Sequence, residues 1–145
     1  MDTKDTNPKD AIGTRKSPVC CLSGPVKHMV GLAMLEGAIK YGRHNYRVAG
    51  VRHSVYYDAV NRHMDSWWEG EDIDADSRMH HLAKAAACLF VMLDSILAGN
   101  DVDDRPPALH KGFIKEMNRM AEEMLDRSPP PLPAYTQKGL ETKDA

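Results

Sequence analysis

Cysteine is scarce in this chain: Cys20, Cys21 and Cys88 are the three in 145 residues. An odd count with neither CxxC nor framework spacing excludes a disulfide scaffold and a structural zinc ribbon. It predicts reduced thiols in a cytoplasmic protein. An excess of one charge is also lacking. The 19 basic and 21 acidic side chains leave a net −2, which excludes a nucleic-acid coat, although a small phosphate ligand needs only a few local cations. Glu36, Lys84 and Asp94 interrupt the most apolar stretches, so no membrane span of ~18–20 residues is expected. Met1 to Asp5 carries no apolar signal core. There is no Walker A loop and no GxGxxG, so any phosphate must be held by side-chain cations. His80-His81 lacks the HExxH spacing of zinc proteases.

What is present is unevenly placed. Of two Trp, five Tyr and two Phe, six lie between Tyr41 and Trp68, and every histidine but His110 lies between His28 and His81. Residues 1–25 are polar and broken by Pro8, Gly13, Pro18 and Gly24, which reads as loop. Pro25 suits a first helical turn, and Val30, Ala33, Met34, Gly37 and Tyr41 then share a face of a helix over 26–41 that stops at Gly42. After a connection at 43–53, Ser54 is the expected cap of a second helix, 54–69, with Tyr56, Val60, His63 and Trp67 as its stripe. A third helix over 77–98 carries Met79, Leu82, Ala83, Ala86, Phe90, Leu93 and Leu97. A fourth over 108–127 carries Ile114, Met117, Met120, Ala121 and Met124, which suits core or a subunit contact. The run Pro129 to Pro133 must be extended, and the polar end is expected to be disordered. The expected architecture is all-α. It is a small bundle of three to four main helices with a loop-rich N-terminus, one domain over 1–128 and a Pro-rich tail over 129–145.

Several residues carry chemistry. Glu36 is the lone charge between Met29 and Ile39. It either pairs with Lys40 four residues on or serves as a metal ligand or base. Lys40 to Arg47 gathers cations and tyrosines at a helix end, suiting phosphate oxygens and base stacking, or forming a solvated connector. If the second and third helices make an antiparallel hairpin, His63 comes opposite His81 and Lys84, with Glu71 or Asp74 at the turn. The acids of 65–76 could hold a hard cation or simply form a solvated, capping turn. Cations cluster in 4–16 and 40–52 and acids in 65–76 and 101–104, as expected if an acidic turn faced a basic loop.

Four stretches together resemble the phage-associated dATP/dGTP diphosphohydrolases, a group similar in activity to the all-α nucleoside triphosphate pyrophosphohydrolases. They are Asn7-Pro8-Lys9-Asp10 with Gly13 and Lys16; Glu36-Gly37 with Lys40-Tyr41-Gly42 and Asn45-Tyr46-Arg47; Arg62-His63 with Trp67, Trp68, Gly70-Glu71 and Asp74; and His80 to Ala83 leading to Asp94 and Asp103 to Pro107. The resemblance implies hydrolysis of a deoxypurine triphosphate to the monophosphate and pyrophosphate. It makes Glu36, His63 and His81 catalytic candidates and Lys9, Lys16, Lys40, Arg62 and Arg105 phosphate contacts. Tyr41, Asn45 and Trp67 become base or sugar contacts, and Glu36, Glu71 and Asp74 ligands of Mg²⁺ or Mn²⁺. It implies a nucleotide as the small-molecule partner, and the host cytoplasm if the chain is phage-encoded. Charge balance and hydropathy lead us to expect no nucleic acid or membrane partner, and three short helices with a shallow site beside a long fourth helix lead us to expect a homo-oligomer. One departure keeps an alternative open. Where the related pyrophosphohydrolases place acids on the facing helix, this chain has His81-Leu82-Ala83-Lys84, and the Lys84 charge would repel a metal there. That fits a protein that holds a nucleotide, even a signalling nucleotide, without cleaving it.

Overall fold

Helix signals at the chain level decide the architecture, and a computed structural model describes residues 7–141. Lys4, a member of the first basic cluster, and residues 142–145 of the expected tail lie outside the described residues. Among the described residues seven α-helices occur in order: α1 (Pro8–Gly13), α2 (Gly24–Tyr41), α3 (Asn45–Ala49), α4 (His53–Trp68), α5 (His81–Ala98), α6 (Phe113–Asp126) and α7 (Gln137–Glu141). Among the described residues there is no strand, so the protein is all-α. The chain divides into two units, one ending at Arg105 and the other beginning at Pro106. Helices α2, α4 and α5 belong to the first unit and α6 to the second.

Several boundaries differ from expectation for local reasons. Residues 8–13 are helical because Asn7 caps them, its side chain accepting the Lys9 N–H at 3.0 Å, with Pro8 in the first turn. The connection after α2 contains α3, entered through His44 in the left-handed region at φ 62°. Ser54 does not cap α4. Its N–H donates to Asp104 Oδ1 at 2.9 Å and its hydroxyl to Oδ2 at 2.5 Å, so a carboxylate 50 residues on satisfies the helix start. Helix α5 begins at His81 rather than at 77 because Asp74 holds the preceding turn. Its Oδ2 accepts from the Ser77 N–H at 3.1 Å, Arg78 takes φ 59°, and His80 Nδ1 accepts the Leu82 N–H at 3.1 Å. Within the expected disordered end, α7 forms one turn, with Thr136 Oγ1 accepting the Gly139 N–H at 3.1 Å.

Helices α4 and α5 run antiparallel. His63 meets His81 at one end, while at the other the His53 N–H donates to the Val102 carbonyl at 3.0 Å. The contact face of α5 is its small one. Ala83, Ala87, Val91 and Ser95 recur every fourth residue and are buried, whereas Phe90, Leu93 and Leu97 of the expected stripe are 58%, 57% and 80% exposed. Val30 and Ala33 of α2 close on Ala87, with Met34 and Ala86 alongside. By length and composition α5 is apolar enough to cross a membrane. This corrects the expectation that Lys84 and Asp94 exclude it. Both charges are paired within the protein, Asp94 with Arg47 of α3 and Lys84 with Asp74 and Glu36.

A polar knot ties α3 and the start of α4 to the end of α5. The fully buried Ser95 hydroxyl accepts the Val51 N–H at 3.2 Å and donates to Asn100 Oδ1 at 2.9 Å. Asn100 in turn donates to the Arg47 carbonyl at 2.7 Å. Arg47 adds a two-pronged bond to Asp94, at 3.0 and 2.6 Å. The acids of 101–104 belong to this closure. Asp101 and Asp103 flank the buried His53 at 2.8 and 3.3 Å, and Asp104 takes Arg52 at 3.4 Å.

Candidate functional site

Small side chains on α2 and α5 leave space between them. Gly31, Ala33, Gly37 and Ala38 face Ala87 and Val91 across a cavity of about 430 Å³, within the ~300–1,000 Å³ common for small-molecule sites. Chain 41–46 and Tyr56 of α4 complete the wall. Three cations, Lys40, Arg43 and Lys84, line it together with Tyr41, Tyr46 and Tyr56, the carboxylate of Glu36, and Cys88. Burial pushes both the Tyr56 phenol and the Cys88 thiol up, so both are neutral near pH 7.

The charged groups form a chain of contacts. Glu36 Oε1 accepts from Lys40 Nζ at 2.6 Å, and its Oε2 lies 3.3 Å from Lys84 Nζ. Lys84 Nζ donates in turn to Asp74 Oδ2 at 2.9 Å. The Lys40 hydrogen bond and the Lys84 charge hold the Glu36 carboxyl below its ordinary value against the effect of burial. The Ser77 hydroxyl and then Lys84 hold Asp74 well below the usual carboxylate range. Burial would lower the Lys84 ammonium, but the Asp74 hydrogen bond and the charges of Glu36 and Asp74 together keep it above its ordinary value. All three groups are therefore ionised at neutral pH.

Beside this chain, His63 and His81 meet through their Nδ1 atoms at 2.9 Å, as the hairpin geometry predicts. One of them must donate. Burial first, then Lys84 and His81, lowers the His63 pKa, so its ring is neutral at pH 7. His81 is buried, and its Nε2 lies 3.6 Å from Glu71 Oε2.

The expected site residues therefore fall into separate places. Glu36, Lys40, Tyr41 and Asn45 line the cavity. Asp74 reaches Glu36 through Lys84, and Glu71 reaches His81 and, through it, His63. Lys9, Lys16, Arg62, Arg105 and Trp67 are not among the lining residues; Arg105 instead clamps Asp103 at 2.8 and 2.5 Å. Arg43 and Tyr46 join the site from the Lys40–Arg47 cluster whose cations and rings suit phosphate and base, and Tyr56 joins it from the stripe of α4, where nothing in the sequence marks it as a ligand contact. Lys84, which the sequence presents as a group that repels a metal, stands at the centre of the site. Its signal is its isolation, since Lys84 and Asp94 are the two residues of α5 with a full charge.

The residues implied as Mg²⁺ or Mn²⁺ ligands do not fit that role in this arrangement. Glu36 and Asp74 share an ammonium, and Glu71 is half exposed beside His81. Among the described residues no group of three or more His, Cys, Asp and Glu gathers to hold a metal ion, whereas hard divalent cations take about six oxygen ligands.

Residues 6–105 match the family described as dATP/dGTP diphosphohydrolase, N-terminal, a span that contains the whole cavity and ends with the first unit. A curated relative from Salmonella phage PMBT28, a dATP/dGTP diphosphohydrolase, is 27% identical over 125 residues, covering 82% of this chain and 42% of the relative. The chain thus spans less than half the length of that relative. No solved structure matches. The match over most of the chain, with the cavity and its cations inside it, places this protein in the dATP/dGTP diphosphohydrolase N-terminal family.

Proposed function

We propose that the cavity between α2 and α5 takes a deoxypurine triphosphate, dGTP or dATP, and that the chain hydrolyses it to the monophosphate and pyrophosphate. The observation that carries this reading is the joint presence of Lys40, Arg43 and Lys84 with Tyr41 and Tyr46 around one cavity. Ammonium and guanidinium groups suit phosphate oxygens, and tyrosine rings suit the face of a base. The family and the name of the phage relative support the substrate class. In the reaction, water adds at the α-phosphorus and gives up its proton to solvent, the bond from that phosphorus to the oxygen bridging the β-phosphate breaks, and pyrophosphate leaves. Lys40 and Lys84 stabilise the charge that develops on it. Asn45 and Tyr41 hold the base or sugar.

A second reading is binding without cleavage. The Lys84 ammonium between Glu36 and Asp74 favours it, because it takes up the carboxylates that would otherwise hold ions. Incubating the full chain with dGTP or dATP and Mg²⁺ or Mn²⁺, followed by chromatography, separates the readings. The first expects dGMP or dAMP and pyrophosphate, and a fall of about tenfold or more in kcat/KM for Lys40→Ala. Nucleotide recovered intact from the protein selects the second. Neither product nor bound nucleotide would sink both.

We also propose that a second copy of the chain covers the outer faces of α2 and α5. Among the described residues the buried apolar side chains are Val30, Ala33, Val51, Ala83, Ala85, Ala87 and Val91, all small, while Leu32, Leu35 and Ile39 of α2 and Phe90, Leu93 and Leu97 of α5 stay exposed. Each set recurs at three- and four-residue steps, a stripe that monomers seldom leave to water. Light scattering at assay concentration is expected to give at least twice the 16.2 kDa chain mass. A monomer mass counts against it.

A further inference from the structure

We propose that the Lys84 ammonium stands where a divalent cation would sit in this pocket: held between Asp74 Oδ2 at 2.9 Å and Glu36 Oε2 at 3.3 Å, it is a built-in cation that meets nucleotide phosphates without a metal. The phosphate half of this assignment rests on the nucleotide reading above; the cation half does not.

Three observations converge on it. First, the two carboxylates meet at a single point, and Nζ occupies that point. A metal ion there would touch the ammonium and be repelled at a few ångströms in a partly desolvated place, where like charges cost most. Second, the side chain is fixed. It is 17% exposed, leaves the first turn of α5, and its partners are themselves held, Asp74 by Ser77 and Glu36 by Lys40. Third, an ammonium has three N–H donors. Asp74 and Glu36 account for two, which leaves one for a ligand in the cavity whose wall Lys84 forms. With Lys40, the two ammonium groups balance the two carboxylates, so the cluster has no net demand for a further cation.

The test uses the full chain in two arms. In the first, manganese alone is added without nucleotide and bound ion is read by electron paramagnetic resonance. Wild type is expected to show no bound Mn²⁺ that Asp74→Asn or Glu36→Gln removes. Bound Mn²⁺ lost in either variant overturns the cation assignment. In the second, dGTP binding is measured by calorimetry in EDTA and in Mg²⁺. The affinity is expected to agree within about threefold between the two, and Lys84→Gln is expected to weaken binding in EDTA by about tenfold or more. Because Lys84→Gln leaves two carboxylates facing each other, the paired change Asp74→Asn with Lys84→Gln, which removes one charge of each sign, is measured beside it and is expected to show the same loss with a melting temperature closer to wild type. Binding of dGTP that requires Mg²⁺, or that survives both variants, overturns the phosphate role. No dGTP binding in either buffer overturns the nucleotide reading and that role together, while the manganese arm still decides the cation assignment.

Discussion

Gly50→Ala is expected to be strongly destabilising. Gly50 sits at φ 71° and ψ 177°, a region that is essentially glycine-only and costs about 1–3 kcal/mol for other residues. A Cβ there would lie 1.9 Å from the Asn100 carbonyl oxygen and 2.9 Å from its carbon. The obstacle is backbone, so no rotamer relieves it. Moving it disturbs the Ser95–Asn100–Arg47 bonds and the pairing in which the Val102 N–H donates to the Val51 carbonyl at 2.8 Å. The expected loss is about 3–5 kcal/mol, read as a shifted urea midpoint. Gly13→Ala, in open space within α1, serves as the control. A Gly50→Ala midpoint equal to that of the control refutes the close approach.

Asp74→Asn is expected to cost about 2–4 kcal/mol near pH 7, because it leaves the largely buried Lys84 ammonium without its nearest carboxylate. The pH dependence has a definite sign. The folded-state pKa of Asp74 lies below its ordinary 3.8. Its stabilisation is therefore fully present above the unfolded value and is lost as pH falls through the folded one. Denaturation curves from neutral pH down to acid should show wild type losing stability on this limb while Asp74→Asn, which has no proton to gain there, loses less. The two curves converge below about pH 4. A gap that stays constant into acid would mean that the side chain acts through shape rather than charge. Glu36, also held below its ordinary value, contributes to the same limb in both proteins.

The two residues act at different places in the fold. Gly50 acts at the knot that closes α3 onto α5, and Asp74 acts at the turn that feeds Lys84 toward the cavity. The family match covers both, so each is a property of the unit that ends at Arg105.

Much of this arrangement is legible in the chain itself. Apolar periodicity and the punctuation at Pro25, Gly42, Gly70 and Gly99 place α2, α4 and α5 to within a few residues, because those signals act over one helical turn. A short acidic turn between two helices suits a hairpin, and the hairpin brings His63 to His81; that Asp74 pairs with Lys84 is seen only in the folded chain. The lone charge Glu36, set four residues before Lys40, admits the ion pair as one of two readings by helical spacing, and the folded chain selects it. Three further things are decided by tertiary structure only. Burial of the small face of α5 rather than its large apolar stripe depends on which helices compete for that face. The cap on α4 comes from Asp104 because a carboxylate 50 residues away outcompetes a local serine once the loop closes. The separation of Glu71 from Glu36 and Asp74 cannot be read from spacing, since Lys84 draws the latter two together across three segments. Local free energies are written in local sequence, whereas the partner of a charge is chosen by the packing of segments that the sequence keeps far apart.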